Sequence, residues 1–287
     1  MPRDVASAAF VRPGDGLGLL DVVRRRYLLS LIVRKEVKIR YRGSVLGWLW
    51  SYVKPTAQFA VFFLALGVFL RLNGSIESYP IYLFSGLIVV NLFTEAFSNG
   101  TKSLVDNAHL IKKIYLPREM FPVSSTIVAF INFLPQVVVM LVICVIVGWR
   151  PAPLQLFGVV LAALILVTLA TGLGMIFGAI NVSFRDSQNF VELIALVATW
   201  ASPVLYPWTL VRDVLPGWAL ELYLVNPLTT AVELFHGGFW YPTTTGTLPL
   251  PPDLYLKGLL ALGISTLVLA IGQVIFRRLE GRFAQDL

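Results

Sequence analysis

The sequence predicts an all-α integral membrane protein with six transmembrane helices, an N-terminal amphipathic interface helix, and short re-entrant outer helices between crossings five and six. Three observations predict it. Hydrophobic residues make up 57% of the chain, charged residues 14%, and mean hydropathy is +0.77, whereas soluble domains run about 45–50% apolar and about 25% charged. Six windows, near 47–71, 79–101, 121–148, 154–181, 188–210 and 254–276, are apolar enough to cross a bilayer core, which takes roughly 20 helical residues. Of the 23 Lys and Arg, 19 fall in segments that six crossings from a cytoplasmic start leave inside, and only Arg71, Arg150, Arg212 and Lys257 fall outside. That skew is the positive-inside pattern.

The whole chain, 1–287, reads as one transmembrane domain: a cytoplasmic arm over 1–46, six helices over 47–276, and a cytoplasmic tail over 277–287. No apolar run precedes Ala6, Ser7 and Ala8, so a cleaved signal peptide is not expected. Over 19–42, Leu20, Val23, Tyr27, Leu28 and Leu31 recur at helical spacing among Arg24, Arg25, Arg26, Arg34 and Lys35. This predicts a basic amphipathic helix on the membrane surface. Val37 to Arg42 alternates instead, where the helix is expected to end, and Gly43 and Ser44 allow a turn.

The first crossing carries Lys54 and Pro55 near its cytoplasmic end, where a long cation can snorkel to the headgroups. Trp48, Tyr52, Phe59 and Phe63 fall on one stripe, with Trp50, Phe62 and Phe69 beside it. Alone, these aromatics fit interface and packing positions, or a smooth wall for a sliding sugar chain. Crossing two aligns Asn91, Glu95, Ser98, Asn99 and Lys102 on one face. A carboxylate at mid-bilayer costs about 2.5–3.5 kcal/mol, so Glu95 marks a helix contact or a water-filled path. Arg185, Asn189 and Glu192 form a second polar set at the start of crossing five, read as a solvated face.

Between crossings two and three, Asp106 or Asn107 can cap a short helix holding Leu110, Ile111, Ile114 and Tyr115 and stopping at Pro117. A solvated connector and a docking helix fit it equally. From 211 to 253 the chain stays apolar through Trp218, Leu220, Leu222 and Tyr223, then from Leu228 to Phe235, interrupted by Pro216, Asn226 and Pro227. A pair of short re-entrant or surface helices fits better than another crossing. Tyr241 to Pro252 reads as an exposed loop.

The chain carries no GxxxxGK[ST] phosphate loop and no GxSxG or HExxH motif, so no catalytic residue is assigned and energy for uphill transport must come from elsewhere. Cys144 stands alone in an apolar run, and His109 and His236 fall on opposite sides, so no metal site is expected. The net charge of +7 clusters where helices meet the cytoplasm, which suits membrane lipids and not nucleic acid. A membrane-embedded sugar or acyl transferase stays open, although the outer acids Asp213, Glu221, Glu233 and Asp253 are scattered.

The run from Arg40 to Trp50, reading RYRGSVLGWLW and followed by Pro55, resembles the start of the first membrane helix in the permease subunits of ABC-2 polysaccharide exporters. Such proteins export O-antigen, capsule, teichoic acid and galactan chains. The stretch from Asn107 through Lys112 and Lys113 to Pro117, Arg118, Glu119 and Pro122 is similar to their first cytoplasmic loop, and Asn226 and Pro227 before Leu228 to Phe235 to their outer gate helices. The resemblance implies a homodimer bound to two copies of a separate ATPase subunit, which would hold ATP and Mg. It implies a channel lined by Trp48, Tyr52, Phe59, Phe62, Phe63, Asn91 and Glu95, and an ATPase-coupling surface of Leu110, Ile111, Lys112, Lys113, Ile114 and Arg118. It also implies an outer gate of Trp218, Tyr223, Asn226, Pro227 and Phe235. Arg outnumbers Lys 16 to 7 in a chain rich in Ala, Val and Gly, which narrows the resemblance to the actinobacterial exporter of lipid-linked galactan. An ABC-2 exporter of lipid or drug is the nearest rival.

Overall fold

The computed structural model describes residues 18–40, 43, 47–114 and 116–287, without the side chains of Trp48, Ser51, Ala284 and Gln285. Most of the 41–46 part of the run that carries the family resemblance, Tyr115, and the channel side chain expected of Trp48 thus lie outside the described residues. All regular structure among the described residues is helical.

The N-terminal amphipathic segment folds as two helices, α1 (Leu19–Arg24) and α2 (Arg26–Arg40), broken at Arg25. Val22 and Ile32 are buried while Arg24, Arg25 and Arg26 stay exposed, as an amphipathic pattern requires. A short 3₁₀ turn, Gly47–Leu49, leads into α3 (Trp50–Phe62), which continues as a π-helical segment through Phe69. A one-turn α4 (Leu72–Ser75) precedes α5 (Tyr79–Asp106), and α6 (Ala108–Lys113) joins α5 to α7 (Met120–Val147). Gly148, at φ 91°, closes α7 in the left-handed conformation that glycine adopts without steric cost. The chain then forms α8 (Pro153–Ser183), α9 (Ser187–Ala201), α10 (Trp208–Arg212), α11 (Gly217–Val225), α12 (Pro227–Phe235) with a π-helical extension His236–Trp240, α13 (Leu254–Glu280) and α14 (Phe283–Asp286).

Five of these segments are long and apolar enough to span a membrane: Tyr52–Phe69, Tyr79–Asp106, Met120–Val147, Pro153–Ser183 and Leu254–Glu280. The window at 188–210 differs from expectation. Its helix α9 stops at Ala201, Ser202 turns extended, and Pro203 and Pro207 interrupt the chain beyond it, since proline lacks the N–H that a helix interior needs. Even so, α9 runs between the two ends of the molecule. At its start Ser187 Oγ donates to Asn181 Oδ1 at 3.0 Å, beside the last turn of α8. Just beyond its end, Tyr79 and Tyr82 at the start of α5 donate to the carbonyls of Leu205 (3.2 Å) and Pro203 (2.7 Å).

Helix α8 is the central post, with α5, α12 and α13 packed on it. Glycines set the approach, since without a hydrophobic force between helices in lipid, close backbone contact must hold them. A Cβ on Gly172 would lie 2.7 Å from Leu269 Cα of α13, and one on Gly100 of α5 would lie 3.2 Å from Gly174 Cα. One end gathers Val22, Ile32, Leu104, Ile111, Phe276 and Phe283 into a second apolar cluster, so the N-terminal helices, α6 and the tail share that end. We call it the basal end.

Candidate functional site

Among the described residues, a polar recess of about 790 Å³ opens between α3, α5 and α7 in the basal half. The polar stripe of α5 forms its floor through Asn91, Thr94, Glu95, Ser98 and Asn99. Helix α3 contributes Trp50, Lys54, Pro55 and Gln58, and α7 contributes Asn132 and Gln136. Of the expected channel residues, Asn91 and Glu95 therefore line a recess. Asn132 and Gln136 were missed by sequence reasoning, although two amides four apart in an otherwise apolar span are the signal that marked α5.

Glu95 is the electrostatic centre. Its carboxylate pairs with Arg40 at the end of α2 and accepts a 2.7 Å hydrogen bond from Asn132 Nδ2. Both ends of the ion pair are partly shielded, at 33% and 28% side-chain exposure, so water and salt weaken it less than a surface pair. The surface helix is thereby pinned to a residue inside the span. Further toward the basal end, Asn107 Nδ2 donates to Glu36 (3.2 Å) and to the Ser103 carbonyl (2.9 Å), and Lys35 donates to Asn107 Oδ1. Lys102 and Glu192 pair at 3.2 Å across α5 and α9 on a more exposed face.

The aromatic stripe of α3 lies above the recess. Phe59 stacks on Phe63 at 5.8 Å and meets Phe84 edge-on at 5.6 Å, and Phe63 stacks on Tyr79 at 6.5 Å. Phe62 instead meets Trp200 of α9 at 6.2 Å. Tyr52, Phe59, Phe62 and Phe63 are each partly exposed, and only 6% of the Tyr52–Phe69 window is buried. Phe59, Phe63 and Tyr79 form a ladder from partly exposed to buried rings, and α3 is the least packed of the five long spans.

The expected coupling surface is rearranged. Ile111 is buried and Leu110 packs on the same basal cluster, so the apolar face of α6 turns into the protein instead of outward. Ile114 leaves the helix in extended conformation and is 52% exposed, beside exposed Lys112 and Lys113. Asn107 sits at the cap position, but its side chain bonds to α2 and α5 and makes no cap bond. Arg118, expected on the coupling surface, is largely buried: its guanidinium donates to the Glu280 carbonyl, lies 3.9 Å from the Glu280 carboxylate and covers the Phe283 ring at 5.7 Å. It ties the start of α7 to the tail.

At the opposite end the expected gate residues divide. Trp218 is 73% exposed on α11. Asn226 caps α12, its Oδ1 accepting from Leu228 N at 3.0 Å, and Pro227 occupies the first helical turn where a missing N–H costs nothing. Phe235 is fully buried against Phe133 (5.9 Å) and Phe239 (5.0 Å). Helix α12 is buried from Leu228 to Phe235, which makes it an inner core element. Burial, reinforced by Tyr206 and Glu233, pushes the Tyr223 phenol well above its ordinary range, so it stays neutral. In the π-helical extension of α12, His236 Nε2 lies 3.1 Å from the Tyr82 carbonyl, which can only accept, so this nitrogen carries the proton. The segment read as an exposed loop is tied down: Thr245 donates to Glu77 through N (2.9 Å) and Oγ1 (2.8 Å), and Trp208 Nε1 donates to the Pro249 carbonyl (2.8 Å). Cys144 is buried in the core, and no group of residues suited to hold a metal occurs among the described residues.

Several apolar spans around a polar recess, with no soluble domain of their own among the described helices, define a multi-pass membrane protein of the transporter type. The ABC-2 type transporter family profile matches residues 27–240, and the chain belongs to that family. It is 29% identical to the O-antigen export system permease protein RfbA of Klebsiella pneumoniae over 260 residues, covering 91% of this chain and 95% of that protein. It is 30% identical to RfbA of Myxococcus xanthus over 269 residues (93% and 98%). It is 24% identical to the polysialic acid transport protein KpsM of Escherichia coli over 214 residues (73% and 80%). Membership of a transporter family favours transport over the transferase reading.

Proposed function

We propose that the chain is the permease subunit of a polysaccharide ABC exporter in the inner membrane, moving a lipid-linked glycan outward with energy from a separate ATPase. The observation that carries this is the near full-length match to O-antigen export permeases, in a chain that keeps a polar recess inside its apolar spans. The recess, with the aromatic ladder above it, offers hydrogen-bonding amides and ring faces, the two surfaces a sugar chain uses.

In this reading the whole chain is one transmembrane unit that crosses six times, with α9 and the segment to Arg212 as the fifth crossing and α11 and α12 as outer gate helices. The skew of Lys and Arg supports a cytoplasmic basal end, with both termini inside. Two subunits pair, and the exposed, lightly packed α3 suits a position where the second copy and the glycan meet. Two ATPase subunits, which hold ATP and Mg, dock at the basal end on Ile114, Lys112 and Lys113. The composition keeps a galactan as the candidate glycan.

The test is deletion of the gene in its native host, with surface glycan measured by lectin or antibody binding. Loss of surface glycan with cytoplasmic accumulation of lipid-linked polymer is expected, restored by the wild-type chain. Normal surface glycan after deletion, with loss of a lipid or drug efflux activity, would overturn the reading.

A further inference from the structure

Both ends of α13 carry a charge that the helix itself disfavours. A helix dipole puts partial positive charge at the N-terminus and partial negative charge at the C-terminus. Arg277 and Arg278 in the last turn follow that rule, whereas Lys257 near the start and Glu280 at the end oppose it. Lys257 is also buried in an apolar span, where a lysine is costly and its partner points to its role. Each opposing charge is answered from another element. Lys257 Nζ lies 3.0 Å from Glu221 Oε2 and donates to Glu221 Oε1 at 3.3 Å, and Glu221 is the one charged residue of α11. Glu280 is met by Arg118, which donates to its carbonyl and lies 3.9 Å from its carboxylate.

The basal contact falls on the segment that follows Lys112, Lys113 and Ile114. Beside Arg118 in that segment, buried Glu119 accepts a 3.0 Å hydrogen bond from Gln273 Nε2 of α13. Arg118 covers Phe283 of the tail, whose ring meets Phe276 of α13 edge-on at 5.3 Å. Two consecutive residues after the docking position are thus held by α13 and the tail. The outer contact falls on a lightly packed helix. Leu224 is the one buried residue of α11, which lies on α12 and α13, so Glu221 gives it a directed tie to α13. Lys257 and Glu280 are about 35 Å apart along the axis at 1.5 Å per residue, and close contacts hold α13 straight against the core between them. A Cβ on Gly258 would lie 2.8 Å from Leu161 of α8 and 3.1 Å from Leu234 of α12, and one on Gly272 would lie 2.6 Å from the Gly172 carbonyl oxygen.

We infer that α13 transmits movement of the ATPase-docking segment to the outer helix α11, with Arg118 and Glu280 as its basal coupling and Glu221 and Lys257 as its outer one. These four are positioning residues for export and touch neither glycan nor nucleotide. The inference rests on the polysaccharide-export reading and adds to it the route by which the basal end reaches the outer helices.

The test uses the permease–ATPase complex purified from native cells and reconstituted in proteoliposomes, with bimane on Leu222→Cys, an exposed position of α11, in a Cys144→Ala background. ATP with vanadate is expected to shift the bimane emission. Glu221→Gln, Lys257→Gln and Glu280→Gln are each expected to reduce that shift about fivefold or more, the lower end of ordinary coupling between sites, with ATPase binding and ATP hydrolysis retained. The charge swap Glu221→Lys with Lys257→Glu is expected to restore the shift, which a role in packing alone would not require. Glu280 is about 35 Å along α13 from Lys257, so a local effect on the dye does not account for its loss. Glu280→Gln keeps the carbonyl to which Arg118 bonds, and Arg118→Gln checks the same contact from the docking side. An undiminished shift in Glu221→Gln and Lys257→Gln would show α11 following α12 through Asn226 and overturn the inference. An undiminished shift in Glu280→Gln and Arg118→Gln would overturn its basal half, and a wild-type complex that hydrolyses ATP with no shift would overturn it entirely. In the deletion strain, surface glycan restored equally by the wild-type chain and by all of these variants would sink the role of α13 and leave export standing. Should deletion leave surface glycan unchanged, the export reading itself fails.

Discussion

Substituting Gly272→Ala tests whether backbone contact between α8 and α13 holds the membrane core together. A Cβ at Gly272 would lie 2.6 Å from the Gly172 carbonyl oxygen and 3.3 Å from Gly172 Cα. Ordinary contact begins near 3.4 Å, and the obstructing atoms are backbone, so no rotamer change relieves them. The helices must part along a seam where a Cβ added to Gly172 would likewise lie 2.7 Å from Leu269 Cα. Overpacking of this kind costs about 1–3 kcal/mol, partly offset by the helix preference of alanine over glycine, about 1 kcal/mol. The net expectation is a loss of roughly 0–2 kcal/mol, and of about 1–3 kcal/mol relative to a Gly→Ala change at a helix position where nothing obstructs the new Cβ, from the same two principles. Gly263 on the same helix has nothing within 4 Å of its added Cβ, so Gly263→Ala supplies the control, neutral or slightly stabilising. Thermal unfolding of the purified chain in detergent reads the difference, on the order of 2–4 °C per kcal/mol. Equal melting of the two variants would refute the claim that this seam is closed by glycine.

At the coupling surface, Ile114→Asp is expected to insert and fold normally yet lose the ATPase subunit on purification, because Ile114 is exposed and a charge in a desolvated contact costs several kcal/mol, about 2–7 for an unpaired polar group. Leu110→Asp should instead destabilise the isolated permease, since Leu110 packs on the basal cluster; retention of ATPase binding by the Ile114 variant would move the docking surface to α1 and α2. Single cysteines at exposed Ser183 and Thr247 in a Cys144→Ala background should react with an impermeant thiol reagent in intact cells only at Thr247. Labelling at Ser183 would reverse the orientation or remove the crossing assigned to α9.

The long spans were legible because hydropathy over 20 or so residues is set by the bilayer itself, and the ends of α5, α7, α8 and α13 fall close to the windows drawn from sequence. Segment 188–210 misled because its average is apolar, yet Pro203 and Pro207 were the available signal that the helix stops before them. The polar stripe of α5 pointed to Glu95, but not to its partners, because Arg40 and Asn132 are 55 and 37 residues away in the chain. Periodicity identified an apolar face on α6 and could not say whether that face would meet the protein's own core or a partner. Nor could it show that α12, amphipathic by pattern, is covered on all sides, because the covering comes from α5, α8 and α13, which are remote in sequence.

The distribution of packing separates what is rigid in this molecule from what is movable. Half of the window of α8 and 72% of that of α5 are buried, and their shared seam brings backbone to backbone at Gly100 and Gly174. Close-packed interfaces of this kind shift between discrete arrangements and do not bend continuously. Helix α3, with 6% of its window buried and a π-helical upper part, has few such constraints. Helix α2, like α5, reaches both the basal junction and the recess. Lys35 and Glu36 hold Asn107 at the start of α6, and Arg40, about 7 Å further along the helix axis at 1.5 Å per residue, holds Glu95. A displacement of α6 is therefore felt at Glu95 through one helix and two polar contacts, without disturbing the glycine seams. The recess wall on α3, which has the least packing to lose, is the side free to answer it.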